Sequence, residues 1–276
     1  MKVLVTTSQS LLLVDTESGE YRPINRGHGL YYGMAVHDGQ LYVAARNGLG
    51  RYGGEILVFN ADWSMRRTIL MPFATDHLHE IAWHDGVLLV TASSENLIGI
   101  FDGRRWDEWH PLGRHDRDVF HFNSFMCEPG CVWILAHNHG SSFILECSYP
   151  EKEIVSRLTL GTKAHNIRRA EGQIVVCSSE DSMLLGSRGF RLGTGMWPRG
   201  LIASGAERCV GLSEMSERAA RGWTPARLQV YDGQWKLQRT IVMPNEGGVY
   251  DVLQLPPGFT ASRTQGQAQS LAAARQ

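Results

Sequence analysis

Three histidines, His79, His121 and His165, each stand beside a carboxylate or carboxamide residue, as His79-Glu80, His121-Phe122-Asn123 and His165-Asn166. Three imidazoles drawn from distant parts of a chain suit a borderline divalent cation such as Zn²⁺, Fe²⁺ or Mn²⁺, with a water in the open position. A cation so held brings bound water toward a pKa of ~7 and makes it a nucleophile or base. Glu80, Asn123, Asn166 and Asp251 make a second, all-oxygen set suited to Ca²⁺ or Mg²⁺. Spacing does not choose between the two sets, nor against a third reading in which these groups hydrogen-bond one another and water.

Other polar residues share the same sequence phase. Arg199 precedes Gly200 as an anchor for a substrate carboxylate or phosphate, or as an ion-pair partner of Glu80 or Asp251. Tyr32 and Tyr250 are candidates for proton transfer or for plain channel walls. His137 and His139, in the run His137-Asn138-His139-Gly140, and Arg46-Asn47 add further substrate contacts. Glu80 and Asp251 are the candidate bases.

What positions these residues is a repeat. GMAVHDGQLYVAAR (33–46), EIAWHDGVLLVTAS (80–93), NSFMCEPGCVWILAH (123–137), NIRRAEGQIVVCSS (166–179) and GLIASGAERCVGLS (200–213) share one plan. Each is a short strand, a tight turn and a second strand rich in Val, Ile, Leu and Tyr. A third strand follows, as in EILVFN (55–60) or RLQVYDG (227–233), and then a return strand such as MRRTIL (65–70). Spacings counted from residues 33, 80, 123, 166, 200 and 251 are 47, 43, 43, 34 and 51. They bracket the roughly 40–50 residues of a propeller blade. YDVLQLP (250–256) is a lone first strand, and the segments 2–8, 10–16 and 20–24 supply its missing second, third and fourth strands. The expected fold is therefore all-β, a six-bladed β-propeller over residues 1–257 whose ring closes by pairing N-terminal strands with a C-terminal one. An all-β sandwich gives no reason for six phased units or for complementary ends. Residues 258–276 read as a flexible tail. The stretch 213–223 is the one piece with helical composition, or else an irregular lid.

In such a ring the first strands line a central channel, and the pairs at their starts fall into two rings. The outer ring is Tyr32, His79, His121, His165, Arg199 and Tyr250; the inner is Gly33, Glu80, Asn123, Asn166, Gly200 and Asp251. With His28, His77, His137 and His139, seven of the eleven histidines are expected on this one face, while His37 and His84 fall in the opposite turns. Burying so many polar groups costs about 1–3 kcal/mol each unless partners or ligands satisfy them. Gly33 and Gly200 are expected to leave room for a ligand.

The pattern resembles the broad group of six-bladed propellers that includes NHL-repeat proteins, the senescence-marker/gluconolactonase family and the peptidylglycine amidating lyase. Glu80, Asn123, Asn166 and Asp251 look like the Glu/Asn/Asn/Asp metal set of the gluconolactonase group, where a divalent cation serves lactone hydrolysis. His79, His121 and His165 look like the three-histidine metal site of the amidating lyase, which also uses Arg and Tyr. The resemblance implies a metal-dependent hydrolase or lyase acting on a small polar, anionic molecule. A non-catalytic propeller binding a peptide, glycan or protein is the competing class.

Composition trims the alternatives. Hydrophobic residues make up 43% and charged residues 20%, as in ordinary globular chains. Lys+Arg 27 against Asp+Glu 28 leaves a net charge of −1, with no basic field for a nucleic acid partner. No apolar run approaches the ~18 residues of a membrane helix. Five cysteines, Cys127, Cys131, Cys147, Cys177 and Cys209, form no zinc-ribbon pairing and are expected as free thiols in a reducing cytoplasm. Cys127 and Cys131 flank a turn and would meet only if the hairpin register allows.

Overall fold

The computed structural model describes residues 1–46, 53–75, 78–217 and 220–261. Asn47, His77 and the tail beyond residue 261 lie outside the described residues, as do two positions of the 213–223 stretch.

The chain opens with β1 (Lys2–Thr7), β2 (Ser10–Asp15) and β3 (Tyr21–Arg26). The first complete blade follows as β4 (Leu30–His37), β5 (Gln40–Arg46), β6 (Gly54–Phe59) and β7 (Met65–Leu70). The second is β8 (Leu78–His84), β9 (Val87–Ala92), β10 (Leu97–Phe101) and β11 (Trp106–Trp109). The third is β12 (Phe122–Glu128), β13 (Cys131–Ala136), β14 (Ser141–Ser148) and β15 (Ile154–Thr162). The fourth is β16 (Ala164–Ala170), β17 (Gln173–Ser178), β18 (Met183–Gly186) and β19 (Arg191–Gly193). The fifth is β20 (Trp197–Ile202), β21 (Glu207–Ser213), β22 (Ala226–Asp232) and β23 (Leu237–Met243). Finally β24 (Val249–Gln254) pairs antiparallel with β1, Val5 opposite Val252, and the sheet β24-β1-β2-β3 is the sixth blade.

Every sheet is a four-stranded antiparallel meander, and the innermost strands β4, β8, β12, β16, β20 and β24 touch in succession around a closed ring. Local chemistry explains the hairpins. Asp38-Gly39 and Asp85-Gly86 have positive φ at both residues, as a two-residue turn matched to strand twist requires. Second and third strands such as LYVAA of β5 and ILVF of β6 are buried on both faces, so they read as continuous apolar runs rather than alternating ones. Fourth strands such as MRRTIL are mostly exposed. The hydrophobic core is accordingly six clusters, one between each pair of adjacent blades.

Two expectations change. The stretch 213–223 forms no helix among its described residues; a single 3₁₀ turn, Ser93–Glu95, is the one helical element described. Within the segment expected as a flexible tail, residues 259 and 260 are packed: Phe259 lies against Trp63 at 5.1 Å, and the Trp63 indole N–H donates to the Thr260 carbonyl at 2.8 Å. All five cysteines are free, and Cys127 faces Val132 rather than Cys131. No helix among the described residues is long and apolar enough to cross a membrane.

Candidate functional site

Each innermost strand carries one extra residue where it starts. Pairing with the next strand slips between Tyr31 and Met34, Leu78 and Ile81, Phe122 and Ser124, His165 and Arg168, and Pro198 and Leu201. In the sixth blade it slips between Val249 and Asp251, which face Thr7 and Thr6. These six β-bulges coincide with the residue pairs of the two expected rings. A bulge turns consecutive side chains away from strict alternation, which lets one residue face the rim and its neighbour the channel. His121 and Asn166 sit here at positive φ, 52° and 49°, conformations non-glycine residues adopt rarely.

The inner ring is a set of blade-to-blade fasteners. Glu80 Oε2 accepts the Ser124 hydroxyl, Asn123 Nδ2 donates to the Ala164 carbonyl at 2.9 Å, Asn166 Oδ1 accepts the Gly200 N–H at 2.6 Å, and Asp251 Oδ2 accepts the Met34 N–H at 3.0 Å. These bridge blades two to three, three to four, four to five and six to one. The two remaining interfaces are made by the glycines. A Cβ on Gly33 would lie 2.5 Å from the Glu80 Cα, and one on Gly200 would lie 2.8 Å from the Asp251 carbonyl carbon. Gly33 and Gly200 therefore let neighbouring backbones approach; they do not leave the expected room for a ligand.

Arg168, which the sequence reading did not single out, lies across this ring. It donates to Glu80 Oε1 at 2.9 Å and to Asp251 Oδ1 at 3.5 Å. Burial works against its charge, but Glu80 and Asp251 outweigh it and hold the guanidinium more firmly protonated. Burial and the Glu80 charge together push Asp251 well above the usual carboxylate range, against the pull of Arg168. The all-oxygen set therefore does not fit a Ca²⁺ or Mg²⁺ ion: its two carboxylates already hold a cation. Arg168 thus takes the ion pairs considered for Arg199, and both candidate bases, Glu80 and Asp251, are engaged by it.

The outer ring is different. His79 Nε2 and His121 Nε2 are 2.8 Å apart, and the His79 and His165 rings are 5.5 Å apart. His137 joins them, stacked on His121 at 3.9 Å and 5.7 Å from His165, while His139 stays exposed at the edge. A small cavity is lined by His79, Glu80, Asn123, His165, Asn166, Arg199 and Tyr250. Tyr32 packs against Tyr250 at 4.9 Å and His79 at 6.2 Å, with Arg46 beside it. Burial, then Tyr250, raises the Tyr32 hydroxyl pKa, against Arg46. Arg199 lies over the Tyr250 ring at 5.5 Å, and burial lowers its pKa from the ordinary arginine value. Among the described residues no carboxylate pairs with it.

Hydrogen bonds assign the protons. Ser179 Oγ donates its single proton to the Pro198 carbonyl at 2.8 Å, so toward His165 Nδ1, 2.9 Å away, it accepts. The N–H of His165 is thus on Nδ1, and its buried Nε2 carries a lone pair without a hydrogen-bond partner. Burial, then the Arg199 charge, hold His165 well below the ordinary histidine pKa, so it stays neutral. Asp118 Oδ2 meets His121 Nδ1 at 2.5 Å and leaves the lone pair of His121 on Nε2, facing His79. In His137, by contrast, Nδ1 accepts the His139 backbone N–H at 2.9 Å, and burial, then His121, lower its pKa to about 2. Its free lone pair is therefore already used.

Asp118 was also absent from the sequence reading; an acid three residues before His121 was the available signal. Asn96 Oδ1 holds its segment by accepting the Val119 and Phe120 N–H groups at 2.9 and 2.8 Å. Asp118, His121 and His139 place one donor atom each within 4.8 Å of one another. On chemistry, the His79, His121 and His165 imidazoles are the groups that could hold a transition-type cation: the lone pair of His121 Nε2 faces His79, and the buried Nε2 of His165 has no hydrogen-bond partner.

No protein-family model matches the chain, and no curated protein matches its sequence. Solved structures do. A chain of a nidogen/laminin complex is similar at TM-score 0.66 and 11% identity, over 91% of this chain and 97% of that one. A Bacteroides caccae protein of unknown function is similar at TM-score 0.66 and 14% identity, again over 91% and 97%. A chain of a mitotic checkpoint complex reaches TM-score 0.51 at 12% identity, over 87% of this chain and 76% of that one. Identities this low speak of fold alone, and by fold the chain belongs with the six-bladed β-propellers.

Proposed function

We propose that the protein is a metal-dependent enzyme, a hydrolase or lyase, acting on a small anionic molecule at the histidine-lined mouth of the channel. The observation that carries this reading is the buried, unpartnered Nε2 lone pair of His165, in a cavity shared with Arg199 and Tyr250. A buried acceptor with nothing to accept costs about 1–3 kcal/mol, a cost that a cation or a substrate donor removes. His79, His121 and His165 would hold the divalent cation, which supplies Lewis-acid polarisation of a substrate oxygen. Asp118 and Ser179 fix the tautomers of His121 and His165. Arg199, with no carboxylate partner among the described residues, binds the substrate's anionic group in planar, bidentate fashion. Tyr250 and Tyr32 are the groups left to move a proton, since Glu80 and Asp251 are engaged by Arg168. Tyr32, with its raised pKa, acts as a donor. His137, stacked on His121 with its proton on Nε2, is a further donor for the substrate on this face.

The competing reading is a non-catalytic propeller that binds a partner on this face, and the occurrence of similar folds in a nidogen/laminin complex favours it. Metal analysis of protein purified without chelator separates the two. The enzyme reading expects close to one equivalent of Zn²⁺, Fe²⁺ or Mn²⁺, or uptake on reloading with a rise in melting temperature. Less than about a tenth of an equivalent, with no thermal shift at saturating metal, rejects it. The single variants His79→Ala, His121→Ala and His165→Ala should each lower occupancy, and unchanged occupancy in all three rejects the triad.

A further inference from the structure

Beside the histidine cavity a shallow groove, open to solvent along part of its length, is lined by Trp197, Arg199, Met215, Arg221, Val249 and Tyr250, among others. It shares Arg199 and Tyr250 with the cavity, so a molecule bound there extends into the site. The groove is held in shape from two sides. The Gly247 N–H donates to the Thr224 carbonyl at 2.7 Å and the Gly248 N–H to the Arg221 carbonyl at 3.2 Å, tying the segment after β21 to the turn before β24. Gln9 Nε2 donates to the Gly222 carbonyl at 2.7 Å from the sixth blade.

Its chemistry is amphipathic and positive. Met215, in the lining, is 71% exposed, a large apolar side chain left in water beside the apolar faces of Trp197, Val249 and Tyr250. Glu214, the carboxylate in the lining, is neutralised by Arg227 at 2.5 Å. Arg221 donates from Nε to the Ser216 carbonyl at 3.0 Å, and neither it nor Arg199 pairs with a carboxylate among the described residues. Apolar walls under two guanidinium groups fit an organic anion with a hydrophobic body better than a sugar or a neutral lipid.

We propose that this groove is a specificity subsite for the apolar arm of the substrate, which makes the substrate class an organic carboxylate bearing an aromatic or branched aliphatic group. The proposal rests on the histidine cavity being the reacting centre: the carboxylate lies on Arg199, the arm lies between Trp197, Met215 and Tyr250, and the carbon next to the carboxylate faces the imidazoles.

Calorimetric titration with 3-phenylpropionate, propionate and 3-phenylpropanol tests it, on chelator-treated protein and on protein reloaded with Zn²⁺. 3-Phenylpropionate should bind at least tenfold more tightly than either propionate or 3-phenylpropanol in both preparations. Trp197→Ala and Met215→Ser should each cut the preference for 3-phenylpropionate over propionate at least threefold. Met215 is exposed, so its replacement leaves the fold intact. Equal affinities for the two acids, equal affinities for acid and alcohol, or a preference unchanged in both variants overturns the subsite. Because the preference is measured in metal-free protein as well, its failure is distinct from a failure of the metal reading, which shows as absent metal uptake with the preference intact.

Discussion

Because Ser179 Oγ gives its proton to the Pro198 carbonyl, replacing it by Ala frees His165 to rotate and to take either tautomer. Ser179→Ala should weaken Zn²⁺ binding about tenfold, and Asp118→Asn, which removes the charge behind His121, about 10–100-fold. Competition titration against a chromophoric chelator reads both, with melting temperatures near wild type to show that the fold is kept. Equal affinity in both variants would sink the assignment of lone pairs to His121 and His165. At this scale the sequence was informative about the metal-binding candidates and silent about their supports. His79, His121 and His165 stand out because they share one phase of the repeat. Asp118 belongs to a connection of irregular length, held by Asn96 of the second blade, and Ser179 is one of several loop serines; what sets Ser179 apart is its hydrogen bond to the Pro198 carbonyl, which forms only once blades four and five are in place.

The bulges act at the scale of the element. Each starts an innermost strand by turning one residue to the rim and the next to the channel, and the channel residue then fastens the adjacent blade. Gly33 does so by having no side chain. Gly33→Ala places a Cβ 2.5 Å from the Glu80 Cα, so blades one and two must part. The expected loss of stability is about 1–3 kcal/mol, read by denaturant unfolding. Gly103, whose Cβ would meet nothing within 4 Å but whose φ is positive, is a control for backbone strain without a clash. An alanine at 33 no more costly than one at 103 would argue against the fastening role. The strand pattern was legible because second and third strands are apolar throughout; the bulges were not, because a one-residue slip in pairing leaves the composition of the strand unchanged.

For the molecule as a whole, Arg168 reaches from the fourth blade to carboxylates of the second and sixth. Arg168→Met leaves Glu80 and Asp251 buried without a cation, a loss of about 3–5 kcal/mol for a broken buried pair. The sign with pH follows. Without the guanidinium, burial and the Glu80 charge hold the Asp251 carboxyl still further above its pKa in the unfolded chain, so the native state binds the extra proton. The deficit should be largest near pH 8 and shrink as the pH falls toward 5, measured by unfolding free energy at each pH. A deficit independent of pH would reject the account.

The sequence by itself determined the six phased units, the complementary ends that close the ring and the face on which the histidines gather. Those features follow from local rules: turn residues at positive φ, apolar runs of strand length, and a repeat that places equivalent residues at equivalent points of a ring. Only the tertiary structure decided that the carboxylates of the inner ring are engaged by a cation of the chain's own. Glu80, Asn123, Asn166 and Asp251 looked as suited to a metal as the histidines, and nothing along the chain marks Arg168 as the cation that occupies them. The physical reason is that a charge pair across a channel depends on distances between blades far apart in sequence. A residue's capacity for chemistry is local, but whether another residue has already claimed it is a property of the closed ring.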